Sequence, residues 1–273
     1  MATTGKTHTK GNHMRSDLAL VQQNLADTRT KAKTAIEAGL VFYKGNPVTK
    51  PSQDIQEPDQ LEIRGTVCPY VSRGGLKLEK ALQEFHVDLT GKTVLDIGSS
   101  TGGFTDCTLQ HGAKAVVAVD VGKDQLAPNL RKKPAVTVYE QTDFRTIQLD
   151  KIADCTIAVS DVSFISVTKM ISKLKEMPKL EALICLIKPQ FECGKEIADK
   201  FHGVIKDKKV HEQVLKKVIT DFSKNGFYLQ NITFSPITGG SGNIEYLAYF
   251  TPNKNSTHNN MTKVVQTAFH TLK

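Results

Sequence analysis

Residues 94–106 read VLDIGSSTGGFTD, and this stretch decides the fold of the chain. An apolar strand runs into an acid, a glycine-rich turn follows, and a helix begins after the turn. Glycines let the backbone approach a ligand closely and adopt conformations that other residues avoid. The arrangement is shared with the cofactor loops of open α/β sheets. The alternative is a tight strand-to-helix turn that binds nothing.

The order of the glycines and the preceding acid argue against a dinucleotide. The glycines follow G-x-x-x-G-G, whereas nicotinamide and flavin proteins use G-x-G-x-x-G. Asp96, two residues before the first glycine, would repel a pyrophosphate and attract a cationic ligand. S-adenosylmethionine carries a sulfonium and an ammonium and no phosphate. We therefore predict that this cofactor binds here, and the candidate contacts are Asp96, Gly98, Ser100, Gly102, Gly103 and Phe104.

Strands and helices alternate after residue 93. The pattern predicts strands at 93–98, 115–121, 136–140, 155–161, 182–188, 228–236 and 244–250, with helices that include 103–111, 166–177 and 208–224. Such alternation predicts an α/β fold with a mostly parallel sheet wound on both faces. The short glycine-rich connection before the final strand predicts an antiparallel hairpin at one edge. This layout is expected of the Rossmann-like class I methyltransferase fold.

Two further acids follow successive predicted strands. Open α/β sheets bind ligands at the carboxyl ends of their strands. Asp120 ends the second strand, where an acid would accept hydrogen bonds from the ribose hydroxyls of adenosine. Asp143 follows the third strand, where it could bind the adenine amino group. Either acid alone could be a turn or capping residue, but three acids after three successive strands favour a cofactor site.

Two lysines and two carboxylates are predicted to converge beside that site. Asp161 closes the fourth strand and Lys188 the fifth, where Pro189 favours an extended backbone. Glu245 begins the last strand, whose antiparallel direction brings it to the same edge. Lys77 precedes the first strand on a helix that can cover the cleft. The alternative is a set of ordinary ion pairs at strand ends.

This set of side chains suits methyl transfer to a hydroxyl group. The sulfonium is already activated, so catalysis needs alignment, which can supply ~7–11 kcal/mol, and a nucleophile. A ribose hydroxyl becomes a good nucleophile once its proton is removed, and a neutral lysine can accept that proton. Burial and a second lysine favour the neutral form. We predict Lys188 as the base, with Lys77, Asp161 and Glu245 orienting it.

Residues 14–63 form a predicted small module of a different kind. Helical spacing from Leu18 to Leu25 and a capping signal at Asp27-Thr28 predict two helices, followed by a strand, a turn and a strand over 40–49. Residues 1–52 hold eight Lys and Arg against three Asp and Glu, whereas 53–64 hold four acids and one Arg. The basic part is therefore one side of the module, and the acidic part is expected to be its exit.

This segment resembles the S4-type RNA-binding domain. The resemblance rests on RSDLALVQQNLADTRTKAKTAIEAGLVFYKGNPVTKP, with the hallmark A-G-x-V followed by K-G-N-x-V. It implies phosphate contacts, which position RNA without reading its sequence, by Arg15, Arg29, Lys31, Lys33 and Lys44. A solvated basic helix face is the alternative. Ser16 stands where the family usually has an apolar residue, so the first turn is expected to pack loosely.

Six motifs extend the resemblance across residues 14–251. The motifs YVSRGGLKL, LDIGSSTGGFTD, VDVG, SDVSFIS, IKPQFE and GNIEY together resemble the TlyA (hemolysin A) family of bacterial ribosomal RNA methyltransferases, which have an FtsJ-like catalytic domain. The resemblance implies 2′-O-methylation of cytidine ribose in 16S or 23S rRNA. It maps a Lys-Asp-Lys-Glu tetrad onto Lys77, Asp161, Lys188 and Glu245. Arg73, in the first motif, is a further RNA-binding candidate.

Composition and motifs together give the expected organisation. We expect a disordered polar arm at 1–13, an S4-like domain at 14–63, a linker at 64–71, a methyltransferase domain at 72–251 and a tail at 252–273. The net charge of +8 and pI near 9.1 suit a polyanionic partner such as ribosomal RNA. Five cysteines without a CxxC pair argue against disulfides and zinc, so we predict no metal and a reducing cytoplasm.

Two other functional classes remain as alternatives. A membrane-active cytolysin would need a secretion route and an inserting segment, but no apolar run approaches the ~20 residues of a membrane span. The first thirteen residues also lack the apolar core of a signal peptide. A non-catalytic ribosome-assembly factor would not need the acids and glycines of the cofactor site. The target nucleotide, the subunit and the oligomeric state stay open, and the loop 191–207 is expected to border the target.

Overall fold

A computed structural model describes residues 13–56, 59–65, 68–254 and 260–272. The chain divides into two compact units, Met1–Pro69 and Tyr70–Lys273. Most of the polar arm expected at 1–13 lies outside the described residues, so that prediction is not addressed by the structure.

The described residues of the first unit contain two helices and five short strands. The helices are α1 (Ser16–Gln22) and α2 (Arg29–Glu37), and the strands are β1 (His13–Arg15), β2 (Val41–Tyr43), β3 (Asn46–Pro47), β4 (Asp54–Gln56) and β5 (Leu61–Ile63). Strand β1 pairs with β4, and β2 lies between β3 and β5, all antiparallel. The helices close over a core that includes Leu20, Ile36 and Val41.

The acidic segment is part of this unit and not an exit from it. Ile55 and Leu61, which stand among its acids, are buried in the core of the unit. Burial of these two apolar side chains brings β4 and β5 into register with β1 and β2. The alternation of apolar and acidic residues is therefore that of half-buried strands.

Ser16 also differs from the sequence-based expectation of a loosely packed first turn. The residue is fully buried, and its Oγ is placed to donate to the carbonyls of Lys50 and Pro51 at 3.0 and 3.1 Å. Its backbone N–H donates to the carbonyl of Gln53. The hydroxyl is thus satisfied by the turn before β4, which holds the start of α1 firmly.

The second unit is built on a seven-stranded sheet. Its strands are β6 (Thr93–Ile97), β7 (Ala115–Val119), β8 (Val136–Tyr139), β9 (Ile157–Ser160), β10 (Ala182–Ile187), β11 (Tyr228–Phe234) and β12 (Tyr246–Thr251). Their order is β11-β12-β10-β9-β6-β7-β8, and β12 runs antiparallel to both of its neighbours. The predicted strand pattern and the antiparallel hairpin at one edge are confirmed.

Helices surround this sheet. They are α3 (Gly74–Phe85), α4 (Gly103–Gln110), α5 (Pro128–Arg131), α6 (Ile171–Glu176), α7 (Pro189–Glu192), α8 (Lys195–Lys200), α9 (Lys208–Lys224) and α10 (Met261–Thr271). The interior strand β10 is buried along its whole length, as expected for a strand covered on both faces. Helix α9 buries an apolar stripe, in which Phe222 stacks on Phe250 of β12 at 4.4 Å between ring centroids.

The end of the chain is a helix of the second unit. Asn260 caps α10 by accepting a hydrogen bond from the backbone N–H of Lys263 at 2.9 Å. Val265 and Ala268 are fully buried, and Phe269 packs edge-on against His211 of α9. The weak amphipathic pattern in the expected tail is thus a helix that completes the core.

Candidate active site

A cavity of about 490 Å³ opens at the carboxyl ends of the central strands. The glycine-rich loop after β6 forms one wall, and the ends of β9 and β10 form the floor. Helix α3 and the segment that enters β12 contribute the remaining sides. This is the edge at which open α/β sheets bind their ligands.

The four charged residues predicted to converge lie in this cavity as one connected cluster. Lys77 Nζ donates to Glu245 Oε2 at 2.7 Å and to Asp161 Oδ2 at 3.2 Å. Lys188 Nζ lies 2.6 Å from Asp161 Oδ1 and donates to Ser163 Oγ at 2.8 Å. Asp161 therefore joins the two lysines, while Glu245 contacts Lys77.

Burial and charge fix the ionisation of two members of the cluster. Burial lowers the pKa of Lys77, but Asp161 and Glu245 outweigh burial and hold that pKa above its ordinary value. Burial raises the pKa of Asp161, but Lys188 and Lys77 outweigh it and hold that pKa below its ordinary value. Lys77 thus has two carboxylate partners. Lys188 has one carboxylate partner, Asp161, which it shares with Lys77, and one neutral hydroxyl partner, Ser163.

Gly239 and Asn243 hold the segment that carries Glu245. A Cβ at Gly239 would lie 2.5 Å from Glu245 Oε1, so any side chain there would require the carboxylate to move. Asn243 is buried; its Nδ2 donates to Gly203 O at 2.7 Å, and its Oδ1 accepts from Ile205 N at 2.9 Å. The sequence pattern did not identify either residue, although both belong to the glycine-rich connection before β12.

A second cavity of about 560 Å³ continues along the ends of β7 and β8. The two cavities share lining residues in the glycine-rich loop and after β9, namely Gly98, Ser100, Asp161, Ser163 and Phe164. Its other walls combine apolar side chains with two predicted acids, Asp120 and Asp143. A ligand with one apolar, ring-shaped end and one charged end could extend across both cavities.

The acids of the second cavity already have protein partners. Asp120 accepts from the backbone N–H of Ser100 at 2.8 Å and of Gly122 at 2.7 Å, and so fixes the glycine-rich loop. Asp143 forms a close ion pair with Arg145. Hydrogen bonding to Arg145 is the main cause that lowers the pKa of Asp143.

Asp96 lies beneath the loop and does not line either cavity. It is fully buried, and its Oδ2 accepts from Thr105 Oγ1 of α4 at 2.6 Å. Its Oδ1 has no hydrogen-bond partner among the described residues. Burial raises its pKa to about 7. Asp96 joins β6 to the start of α4, and a direct contact with a ligand stays a prediction.

Glycines also let the two helices beside the first cavity approach each other. A Cβ at Gly103 would lie 2.3 Å from Ser72 Oγ and 2.9 Å from the backbone N of Gly75. Gly102 has a φ of 95° and leaves no room for a Cβ beside Leu130. Phe104 and Gly103 line the first cavity, whereas Gly102 lies behind it. Ser99 Oγ, on the same loop, is buried and lacks a hydrogen-bond partner within the described part of the chain.

An exposed aromatic residue stands where the two cavities meet. Phe164 is 91% exposed, has a φ of 65°, and its ring lies 5.1 Å from that of Phe191. Glu192 accepts from Ser166 Oγ at 2.6 Å and Val167 N at 2.7 Å, which ties the loop of Phe164 to α7. A bulky residue in strained backbone and in contact with water is a feature of functional sites. The motif SDVSF was the only sequence signal for it.

The RNA-binding candidates of the first unit all have acidic neighbours. Arg15 and Arg29 both contact Asp17. The lysines pair with exposed or half-buried acids: Lys31 with Asp27, Lys33 with Glu37 and Lys44 with Asp59. Arg73 lines the first cavity of the second unit. The positions suit phosphate contacts, which stay predictions.

The described part of the chain has neither a membrane-spanning helix nor a cluster of metal ligands. None of the helices there is both long and apolar enough to cross a membrane. In the same residues, no three His, Cys, Asp or Glu side chains are grouped as metal ligands.

Comparisons with known proteins match both units. Residues 70–251 match the FtsJ-like methyltransferase family, and residues 14–61 match the S4 domain. A solved structure of a protein from Streptococcus thermophilus is 38% identical and covers 95% of this chain and 96% of its own, with a TM-score of 0.72.

Curated relatives cover most of the chain. Hemolysin A of Brachyspira hyodysenteriae is 43% identical over 240 residues, which are 87% of this chain and 99% of that protein. The 16S/23S rRNA (cytidine-2′-O)-methyltransferase TlyA of Mycobacterium tuberculosis is 36% identical over 238 residues, 86% of this chain and 88% of that protein. The 23S rRNA (cytidine-2′-O)-methyltransferase TlyA of Campylobacter jejuni is 35% identical, with 88% and 100% covered.

Proposed function

This chain belongs to the TlyA (hemolysin A) family, with an S4 domain and an FtsJ-like methyltransferase domain, and we propose that it catalyses S-adenosylmethionine-dependent 2′-O-methylation of cytidine ribose in ribosomal RNA. The observation that carries the proposal is the cluster of Lys77, Asp161, Lys188 and Glu245 in the first cavity, of which Asp161 also lines the second. The names of the relatives from Mycobacterium and Campylobacter support cytidine in 16S or 23S rRNA as the target.

The second cavity has the chemistry of an adenosine site. Asp120 retains free lone pairs for ribose hydroxyls, and Asp143 could accept from the adenine amino group if it shares its carboxylate with Arg145. Val121, 72% exposed, and Phe144 supply apolar surface for the base. When bound, S-adenosylmethionine supplies an activated methyl group. Its charged end would reach the glycine-rich loop, where Ser99 Oγ lacks a partner in the described region.

Lys188 is the member of the cluster best placed to act as a base. Lys77 is held cationic by two carboxylates, whereas Lys188 shares Asp161, contacts the neutral Ser163 hydroxyl and lies 5.9 Å from the centre of the Phe191 ring. Once Lys188 has released its own proton to solvent, its Nζ accepts the proton of the ribose 2′-hydroxyl, and Asp161 stabilises the ammonium that results. Lys77 and Glu245 hold Asp161 in position and supply a second fixed charge.

Phe164 and Phe191 provide the surface for the target base. Exposed aromatic faces stack on any unpaired base, and such stacking contributes about 1–3 kcal/mol per base. Phe164 shares its cavity with Lys188, so a base stacked there would bring its own ribose to the charged cluster. An unpaired nucleotide is therefore the substrate that this surface suits.

Radiolabelled methyl transfer tests the proposal directly. The full chain and tritiated S-adenosylmethionine are incubated with isolated ribosomal subunits and with naked ribosomal RNA. We expect alkali-resistant dinucleotides that carry label on cytidine ribose, because 2′-O-methylation blocks cleavage of the adjacent bond. Lys188→Ala should lose about 10²–10⁴-fold in turnover. Lys179→Ala, which removes a lysine exposed beside Asp154, is the matched control and should keep full activity.

Two results would overturn the proposal. Label recovered on a nucleobase would contradict ribose chemistry, and full turnover by Lys188→Ala would contradict the assignment of the base. A thermal shift on addition of the cofactor separates loss of chemistry from loss of binding.

A further inference from the structure

Two arginines of the first unit meet on one buried carboxylate. Arg15 donates from Nε to Asp17 Oδ1 and from a terminal nitrogen to Asp17 Oδ2, both at 3.0 Å. Arg29 donates to the same Oδ2 at 2.9 Å. The side chain of Asp17 is 5% exposed, while those of Arg15 and Arg29 are 45% and 60% exposed. The acid is thus covered by the two guanidinium groups.

The backbone around Asp17 is also fixed. The N–H of Asp17 donates to the carbonyl of Pro51, and that of Ser16 donates to the carbonyl of Gln53. Ser16 Oγ lies within hydrogen-bond distance of two carbonyls of the same turn. The hydrogen bond from Arg15 is the largest cause that lowers the pKa of Asp17 to about 2, so the carboxylate is ionised at neutral pH.

The pair keeps most of its capacity for an anion. A guanidinium has five N–H donors in a fixed plane, and Asp17 engages only two from Arg15 and one from Arg29. Two arginines and Asp17 leave one net positive charge, and exposed Asp54 faces Arg15 across the β1–β4 pair. Both arginine side chains are partly exposed, and phosphate is the anion that such forks bind bidentately.

We propose that Asp17 is a positioning residue that assembles Arg15 and Arg29 into one binding site for an RNA phosphate. The inference rests on the proposed RNA-binding function and deepens it. A free arginine loses side-chain freedom when it binds, and that loss costs severalfold in affinity for each long side chain. Asp17 orders both arginines before RNA arrives, so the site is formed in the free protein.

The proposal and a simple charge argument predict opposite effects of removing Asp17 on RNA affinity. Removing an acid from a basic surface should strengthen binding to a polyanion. If Asp17 positions the arginines, its removal should instead weaken binding. Asp27, 79% exposed beside Lys31, offers a matched control in the same unit, because Asp27→Asn changes the net charge by the same amount.

The experiment measures affinity of the full chain for ribosomal RNA extracted from isolated subunits, over a range of salt concentrations. We expect Asp17→Asn to weaken binding about 3- to 10-fold. Asp27→Asn should bind as tightly as the parent protein or more tightly. Asp17→Asn should not weaken binding further in a chain that already carries Arg15→Ala and Arg29→Ala, because its positioning role acts through those side chains. Tighter binding by Asp17→Asn would overturn the inference.

The salt dependence tests whether the arginines form one site. Each phosphate contact contributes about 0.9 to the slope of log K against log salt on duplex and about 0.7 on single strands. The double variant Arg15→Ala with Arg29→Ala should lower the slope by the value for one phosphate. A decrease of twice that value would mean separate phosphates and would overturn the inference.

Two further measurements separate the possible failures. Arg15→Lys keeps the charge but removes the fork, so it should weaken binding even if Asp17→Asn fails to fold in a thermal-unfolding control; parental affinity in Arg15→Lys would overturn the inference. If removal of both arginines leaves RNA affinity unchanged, the RNA-binding surface itself is wrong. If that removal weakens binding but Asp17→Asn does not, only the positioning role is wrong.

Discussion

Lys77 and Glu245, 168 positions apart in the chain, form a buried ion pair of 2.7 Å. Their side chains are only 9% and 3% exposed. Such pairs rarely stabilise a fold more than apolar residues of similar size, because removing both charges from water costs as much as their attraction returns. A buried pair that lines a cavity therefore indicates a function for the charges themselves.

We predict that stability and activity separate when this pair is replaced. Glu245→Leu leaves Lys77 with one carboxylate and should lower the free energy of unfolding by about 3 kcal/mol. Adding Lys77→Met should recover most of that loss, but methyl transfer should stay at least about 100-fold below the parent protein. Denaturant unfolding and single-turnover assays measure the two effects. Recovery of activity together with stability would mean a purely structural ion pair.

The exposed ion pair of Lys92 and Glu181 provides the control for the replacements of Lys77 and Glu245. Its N–O distance is also 2.7 Å, but its side chains are 36% and 57% exposed. The corresponding replacements there should change stability by about 1 kcal/mol or less and leave methyl transfer unchanged.

We predict a pH-dependent penalty from Asp96. Burial raises its pKa to about 7, whereas an unfolded aspartate titrates near 3.9. The folded state therefore binds the proton more tightly, and stability should fall as pH rises from about 4 to about 7 and then level off. Asp96→Asn should remove this dependence, worth up to about 4 kcal/mol. Urea unfolding at pH 5 and pH 8 measures this dependence. If the unfolding free energy changes equally between the two pH values in the parent protein and in Asp96→Asn, the raised pKa of Asp96 is contradicted.

We predict that Phe164 lowers the stability of the fold but is needed for full activity. Its φ of 65° is unfavourable for a side chain with a Cβ, and 91% of its surface is exposed. Phe164→Gly should raise the free energy of unfolding by about 1 kcal/mol. The same change should raise KM for RNA or lower kcat by about tenfold, because it removes the stacking surface. Phe164→Tyr should retain most activity; an active glycine variant would exclude the stacking role.

Much of the second unit could be predicted from the sequence because its signals are local. A buried parallel strand is a continuous apolar run, and the carboxyl ends of such strands lie at one edge. Those two rules were enough to predict that Asp161 and Lys188 lie close together. The antiparallel direction of the last strand added Glu245 to that prediction.

The features that the sequence did not predict depend on contacts between distant residues. The Ser16 hydroxyl is satisfied by carbonyls more than thirty positions away, and Glu192 holds a loop 25 positions before it. Asp96 lies beneath its loop, where Thr105 Oγ1 of the next helix donates a hydrogen bond to it. Serine, glutamate and aspartate are all common on protein surfaces, so the sequence alone does not show that these residues are buried and hydrogen-bonded. Only the folded chain shows it.

Two adjacent glycines provide the last prediction, because only one of them touches the charged cluster. A Cβ at Gly239 would lie 2.5 Å from Glu245 Oε1, whereas one at Gly240 would have nothing within 4 Å. Gly239→Ala should displace the carboxylate from Lys77 and lower kcat by about 10²-fold, since a displacement near 1 Å costs that much in an aligned site. Gly240→Ala should match the parent protein in both kcat and unfolding free energy. Steady-state methyl transfer measures the difference, and equal activity in the two variants would mean that Glu245 tolerates movement and does not set the geometry of Lys77.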